Sequence, residues 1–228
     1  MTNELAIITV NFNTPEYIKP LVSSLKKSNP WVNTPVTVFD NSTINKLSEG
    51  SYNGYVVKHV PDYIYQDINN LPPSKYPAAG SYNSARHAIT LQYALSLIDS
   101  DFCLIADSDI VFTVNFSKLF DTVKRSNSFM CGYERTTYTH RAIAPWCCIL
   151  NMNLYRKYGM KYYDSSRMIY INDLTDYDTG ASILEDAERF GFNIIKTPDN
   201  LYWVHFKGGS VFKQAGINWL NKNKHLWA

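Results

Sequence analysis

No stretch of this 228-residue chain is apolar enough for a membrane span, and no charge of one sign dominates it. A membrane-spanning helix needs about 18 consecutive apolar residues, and the longest apolar runs here are far shorter. Residues 5–10 are also too short for the core of a secretion signal. The net charge of +2 does not by itself indicate a polyanionic partner. We therefore expect a soluble, cytoplasmic protein, with peripheral contact to a membrane left open.

Cysteine is scarce, and its spacing matches neither a zinc site nor a redox motif. The four cysteines are Cys103, Cys131, Cys147 and Cys148, and no pair of them has CxxC spacing. Three of them lie within apolar runs. This pattern predicts buried free thiols in a reducing compartment.

The sequence also lacks two glycine-rich motifs that hold phosphate groups in many nucleotide-binding proteins. The absence of GxGxxG argues against a dinucleotide-binding fold. The absence of GxxxxGK[ST] excludes a P-loop ATPase. If this chain binds a nucleotide, another group must hold the phosphates.

Two aspartates follow a predicted buried strand at residues 102–106, an apolar run of suitable length. They are Asp107 and Asp109, with Ser108 between them. Neighbouring carboxylates repel each other, and a divalent cation removes that penalty. Carboxylate oxygens suit Mg²⁺ or Mn²⁺, with phosphate oxygens completing the coordination shell. A simple polar turn is the alternative, since Asp and Ser favour turns.

The residues upstream predict an α/β fold. Residues 5–10 and 35–39 are β-rich apolar runs, and residues 14–27 between them carry apolar side chains at helical spacing. A third strand is predicted at residues 55–60. Strand, helix and strand joined by short connections are typical of a parallel sheet covered by helices.

A well-buried helix is predicted over residues 81–98, immediately before the central strand. We expect Arg86 and His87 in its first turn, where cations oppose the helix dipole unless an anion lies nearby. They are candidate phosphate contacts, and a solvated arginine is the alternative. Further along, residues 133–145 are polar and predict an exposed excursion, and a last strand is expected at residues 193–196.

Polar side chains end three of the predicted strands: Asn11, Asp40, and Asp107 with Asp109. Because the carboxyl ends of parallel strands meet at one edge of a sheet, we expect these side chains to form one site. Asp40 could accept a hydrogen bond from a base or a ribose, and the aspartate pair could hold a metal against a diphosphate. A metal-bound diphosphate without a P-loop suggests activated-sugar chemistry.

Three segments together resemble the GT-A fold glycosyltransferases, most closely family 2. They read NELAIITVNFNTPEY at residues 3–17, FDNS at 39–42 and ADSDIV at 106–111. The resemblance covers residues 3–43 and 80–125 and extends loosely into the C-terminal third.

The resemblance implies an α/β fold with a mostly parallel central sheet flanked by helices, as one GT-A domain over residues 1–228. Residues 1–112 would then form the half that binds the nucleotide-sugar donor. Residues 113–228 would form the half that binds the acceptor and closes the fold.

The resemblance also implies roles for single residues. In that family the aspartate matching Asp40 contacts the base, the one matching Asp107 faces the ribose, and the one matching Asp109 binds the metal. A late histidine, matching His205, approaches the metal or the diphosphate. The expected donor contacts are Asn11, Asp40, Arg86, His87, Asp107, Ser108 and Lys207, and the expected metal ligands are Asp109, Asp107 and His205.

The catalytic base of the family is an aspartate at the start of a helix, a position that Asp178 occupies. Asp176 is the alternative, because Tyr177 stands where the family often has glutamate. The implied reaction is inverting: the carboxylate accepts the proton of an acceptor hydroxyl, and Mn²⁺ or Mg²⁺ takes up charge on the leaving nucleoside diphosphate. The QxxRW signature of processive members is absent, so one sugar per encounter is expected.

Other classes of protein remain as alternatives. A sugar nucleotidyltransferase would usually carry a glycine-rich, basic loop after the first strand, and residues 11–14 are neither. A non-catalytic nucleotide-sugar-binding protein is a second alternative. The expected partners are a nucleotide-diphosphate sugar, first of all a UDP-sugar, and a surface glycan or polysaccharide precursor as acceptor. Modified nucleic acid is a weaker possibility, suggested by Arg135, His140 and Arg141, and the sequence leaves the oligomeric state open.

Overall fold

In the part of the chain that the structure describes, an eight-stranded mixed sheet lies at the centre, with helices on both of its faces. The structure is a computed structural model, and it describes residues 4–66, 81–137, 140–164, 179–207 and 212–228. The α/β class and the mostly parallel sheet predicted from the sequence are confirmed, since four of the seven strand pairs are parallel.

The parallel part of the sheet comes from the N-terminal half of the chain. Its strands are β1 (Leu5–Asn11), β2 (Val36–Asp40), β4 (Tyr55–His59) and β5 (Phe102–Ala106), in the order β4–β2–β1–β5. A short strand, β3 (Gly50–Tyr52), pairs antiparallel with β4 at the edge. Two helices belong to this half: α1 (Ile18–Ser28), which follows a 3₁₀ turn, and α2 (Ser81–Ser96).

Both faces of this sheet are buried because alternate residues of each strand enter different cores. Ile7 of β1 packs in one core with Leu21 of α1, and Ile8 packs in the other with Leu91 of α2. Strands buried on both sides carry continuous apolar runs, which is why β1 and β5 were recognisable in the sequence.

The sheet continues beyond β5 with β8 (His140–Asn151), β7 (Met130–Thr137) and β9 (Ile194–Thr197). The helices of this half are α3 (Ser117–Arg125), α4 (Met152–Lys157), α5 (Ala181–Arg189) and α6 (Lys213–Lys222). α5 packs against β8.

The expectation of an exposed excursion over residues 133–145 is wrong for the described part, which pairs as the β7–β8 hairpin. The polar residues there belong to strands. Glu134 forms ion pairs with Arg141 of the partner strand and with Lys196 of β9, while Ile143 is buried. Cross-strand ion pairs place charges on a strand surface, so a polar composition concealed the strand pattern.

A second, two-stranded sheet was not predicted. β6 (Ile110–Phe112) pairs antiparallel with β10 (Trp203–His205), so that His205 lies opposite Ile110. The strand expected to be the last one is β9, and β10 follows it. This pairing carries the C-terminal segment to the chain that follows Asp107 and Asp109.

All four cysteines are free and buried, as the sequence predicts. Burial raises the pKa of the Cys131 and Cys148 thiols to about 12. Among the described residues, no helix has the length and apolar character needed to cross a membrane.

Gly180 precedes α5 with a φ of 90°, and a Cβ there would lie 2.8 Å from the carbonyl oxygen of Ile143 in β8. Backbone strain and this clash should make Gly180→Ala destabilising by about 2–4 kcal/mol in urea unfolding. Gly159 is a matched control, since its φ is 59° and no atom lies near its added Cβ. Gly159→Ala should cost about 1 kcal/mol, and equal losses in the two variants would contradict the clash.

Candidate functional site

The carboxyl ends of β1, β2 and β5 lie side by side, as the sequence predicts. Asn11 at the end of β1 lies directly opposite Asp40 at the end of β2. β5 flanks β1 on its other side and ends at Ala106, one residue before Asp107. All the polar strand ends named from the sequence therefore reach one edge of the sheet.

Asn11 is the centre of a buried hydrogen-bond chain along this edge. Its Nδ2 donates to Asp40 Oδ1 (3.1 Å) and to Ser42 Oγ (3.2 Å). Its Oδ1 accepts from Thr14 N (3.3 Å) and from Thr14 Oγ1 (3.2 Å), and Thr14 Oγ1 lies 3.2 Å from Ser108 Oγ. The chain thus joins Asp40 to the residue between the two aspartates. Sequence reasoning did not assign Thr14 to this site, since it gave residues 14–27 only as a segment with helical spacing.

Asp40 is fully buried, and its carboxylate is already engaged. Oδ1 accepts from Asn11 Nδ2 and from Ser42 N, and Oδ2 accepts from Leu47 N at 2.6 Å. In this conformation Asp40 organises the segment 41–47. Oδ2 keeps one lone-pair position for a further donor, and a base could reach it only if that segment moved.

Asp107, Asp109 and His205 form a cluster at the end of β5. Ligand atoms of the three side chains all lie within 4.8 Å of one another, and His205 Nε2 is 3.2 Å from Asp109 Oδ2. Within the described ranges, no other group of three or more such side chains has this geometry. Two carboxylates and one imidazole suit Mn²⁺, and the carboxylates alone suit Mg²⁺. The three predicted metal ligands are therefore brought together.

The charges in this cluster shift the pKa values of Asp107 and His205. Burial raises the pKa of Asp107, as does the charge of Asp109, while His87 at 3.4 Å and His205 oppose that shift. Burial lowers the pKa of His205, but its hydrogen bond to Asp109 and the aspartate charges outweigh burial and raise it. The carboxylates thus favour positive charge on the imidazole.

Trp146 of β8 contacts both sides of the cluster, and sequence reasoning did not assign it to the site. Its carbonyl oxygen accepts from Asp107 N at 2.8 Å, and its indole stacks on the His205 ring at 5.0 Å and 22°. The guanidinium of Arg135 lies 4.9 Å from the indole centroid. No local signal marks Trp146, because these contacts depend on the pairing of β8 with β5.

Arg86 and His87 lie in the second turn of α2, not in the first as predicted. His87 reaches Asp107 and so joins the cluster. The guanidinium of Arg86 stacks on Tyr65 at 3.9 Å and donates to the carbonyl oxygen of Asn41 at 3.3 Å. Arg86 therefore lies near the end of β2.

The remaining predicted residues lie in the C-terminal third. Lys207 is exposed, and its charge lowers the pKa of His205, so it adjoins the cluster. Asp178 and its alternative Asp176 lie outside the described residues. α5 begins at Ala181, three residues after Asp178.

No protein-family model matches the sequence, and no curated protein sequence matches it. The structure, in contrast, matches solved structures. A galactosyltransferase, LgtC, in complex with donor and acceptor sugar analogues is 15% identical with a TM-score of 0.54, over 86% of this chain and 74% of that one.

Two further matches are similar in extent. A TarS structure from S. aureus is 16% identical with a TM-score of 0.52, over 96% of this chain and 66% of that one. Core-mannan synthase A from Aspergillus fumigatus, in its Mn/GDP form, is 9% identical with a TM-score of 0.55, over 84% of this chain and 70% of that one. This chain therefore spans about two thirds to three quarters of these structures. At such low identity the likeness concerns the fold, and the fold of this chain is that of the GT-A glycosyltransferases, as its motifs predict.

Proposed function

We propose that this protein is a metal-dependent glycosyltransferase that moves a sugar from a nucleotide-diphosphate sugar, expected to be a UDP-sugar, to an acceptor hydroxyl. The observation that carries the proposal is the cluster of Asp107, Asp109 and His205 at the edge where β1 and β2 also end. In open α/β sheets ligands bind at this edge. A diphosphate held by a cation there would lie beside polar strand ends able to bind the nucleoside.

The donor set of the cluster fits Mn²⁺ or Mg²⁺. The Mn/GDP form of core-mannan synthase A supports this choice of cation by analogy of fold. When bound, such a cation supplies Lewis-acid stabilisation of charge on the diphosphate. In our proposal Asp109, Asp107 and His205 hold the cation, and His87 orients the Asp107 carboxylate.

The other predicted donor contacts lie at three positions. Asn11, Ser108 and Asp40 belong to the buried hydrogen-bond chain, so we assign them the shaping of the nucleoside pocket. Lys207 adjoins the cluster and is assigned to the diphosphate. Arg86 lies beside the end of β2, so we assign it to the nucleoside side of the donor.

On the acceptor side, we propose Asp178 as the general base of an inverting, non-processive transfer, with Asp176 as the alternative. The position of α5 against β8, the strand that carries Trp146, supports this choice. Residues 1–112 would then bind the donor and residues 113–228 the acceptor, expected to be a surface glycan or polysaccharide precursor.

Two alternatives are less well supported. A modified nucleic acid as acceptor was suggested by the basic residues of the β7–β8 hairpin. Arg141, however, is paired with Glu188 at 2.7 Å and with Glu134, so its charge is already neutralised. A non-catalytic binding protein would share the donor site and would differ by showing no turnover.

Ligand binding to the donor site should raise the melting temperature. With UDP and Mn²⁺ at about 100 times the Kd, we expect a rise of roughly 5–10 °C by mass action. In Asp109→Asn the metal-dependent part of the rise should disappear, because a charged ligand is lost. Asp121→Asn is the matched control, since this carboxylate is exposed on α3. No rise with UDP, GDP, CDP or dTDP would count against the donor site.

Trp146→Ala should weaken Mn²⁺ binding by about 10–100-fold, because the ring that orients His205 is removed. Trp146→Phe keeps an aromatic face and should restore most of the affinity. Free Mn²⁺ measured by electron paramagnetic resonance gives the affinity without any turnover. Wild-type Mn²⁺ affinity in a folded Trp146→Ala protein would show that the stack does not position the ligand.

Asp178→Asn should lower kcat by about 10²–10⁴-fold if this carboxylate is the general base. The UDP and Mn²⁺ melting shift should persist, because the donor site is unchanged. Asp176→Asn serves as the matched variant, and activity lost there instead would transfer the role to Asp176. The anomeric configuration of the product, determined by NMR, tests inversion directly, and a product of retained configuration would refute it.

A further inference from the structure

The charges of this chain are segregated, although their sum is only +2. Residues 17–39 and 200–228 contain seven lysines and no aspartate or glutamate. Of the 22 lysines and arginines, 15 therefore remain in the rest of the chain, which carries all 20 carboxylates. Two separated segments are thus strongly basic, and the remainder is acidic.

The fold brings these two segments into contact. Lys27 of α1 donates through Nζ to the carbonyl oxygens of His225 (2.9 Å) and Ala228 (3.0 Å). Tyr17 donates through its hydroxyl to the carbonyl oxygen of Lys213 in α6 at 2.8 Å. The exposed and partly exposed side chains that these two segments contribute are here called, as a set, the C-terminal basic face, and they are Lys19, Lys27, Lys222, Lys224, Phe212 and Trp227.

Apolar groups accompany the lysines on this face. Phe212, immediately before α6, is 65% exposed. A groove of about 150 Å³ separates α1 from α6, and Pro20, Leu220 and Trp227 line it with Lys19. Glu16 also borders the groove, and it is neutralised by an ion pair with Lys213 at 2.6 Å. Lysines around exposed aromatic rings are typical of surfaces that lie in a membrane interface.

We propose that the C-terminal basic face binds a lipid bilayer with negatively charged headgroups. Lys19, Lys222 and Lys224 are exposed, and none forms an ion pair with another described residue, so their charges are available. Each lysine near an anionic bilayer strengthens binding roughly fivefold. Binding of a second copy of the chain to this face would bring like charges together. Binding of a soluble polyanion would not explain the exposed aromatic ring of Phe212.

The face also adjoins the candidate donor site. Phe206 donates through its backbone N–H to the carbonyl oxygen of Asp109 (3.1 Å), and its ring stacks on Trp219 of α6 at 5.1 Å. A protein bound through this face would hold the site next to the bilayer. Bilayer binding needs no donor or metal, so its test is independent of the proposed transferase activity.

Co-sedimentation of the full chain with vesicles tests the proposal. We expect binding to phosphatidylcholine vesicles that contain phosphatidylserine, little binding to phosphatidylcholine alone, and weaker binding at high salt. The triple variant Lys19→Gln, Lys222→Gln, Lys224→Gln should lower the partition coefficient by about 100-fold. The control triple variant Lys46→Gln, Lys58→Gln, Lys118→Gln makes the same change of charge at exposed positions elsewhere and should retain binding. Equal losses in the two, or equal binding to both kinds of vesicle, would overturn the proposal.

Phe212→Ala separates a bilayer from a soluble polyanion. Tyr63→Ala is its control, because Tyr63 is also 65% exposed. If the face inserts into a bilayer, Phe212→Ala should weaken vesicle binding severalfold and leave heparin binding unchanged, while Tyr63→Ala should alter neither. Vesicle binding unaffected by Phe212→Ala would refute insertion, and heparin bound more tightly than the anionic vesicles would assign the face to a soluble polyanion.

Discussion

The electrostatic repulsion between Asp107 and Asp109 is the constraint on which the rest of the site depends. Two carboxylates so close at a strand end require positive charge nearby, and the fold supplies His87 from α2 and His205 from β10. The hydrogen bond to Asp109 and the charges of the two aspartates raise the pKa of His205. The small β6–β10 sheet, which the sequence did not predict, holds His205 against Asp109 and so places one of these positive groups.

The cluster keeps its geometry because its supports come from rigid parts of the sheet. Asn11 and Thr14 connect the end of β1 to Ser108, and Trp146 on the neighbouring β8 fixes both Asp107 and His205. These strands are buried on both faces, and closely packed interiors allow little displacement. The geometry of the side chains at this edge of the sheet is thus a consequence of how the sheet is packed.

The C-terminal segment connects this edge to the surface. β10 ends at His205, and the next residue contacts both the Asp109 backbone and α6. Since α6 carries much of the C-terminal basic face, chemistry at the aspartates and binding at a charged surface would depend on the same short segment.

Local properties of the sequence determined much of the fold. Apolar runs and helical spacing predicted β1, β2, β5 and α2 within a few residues, and they placed the aspartate pair at a strand end, because burial and periodicity are properties of contiguous residues. Tertiary structure alone decided the β7–β8 hairpin, the strand β10, the role of Trp146 and the engagement of Asp40 by the segment 41–47. Each of these depends on strand pairing or on hydrogen bonds between separate parts of the chain. Such contacts produce no periodic pattern of apolar residues in a single sequence.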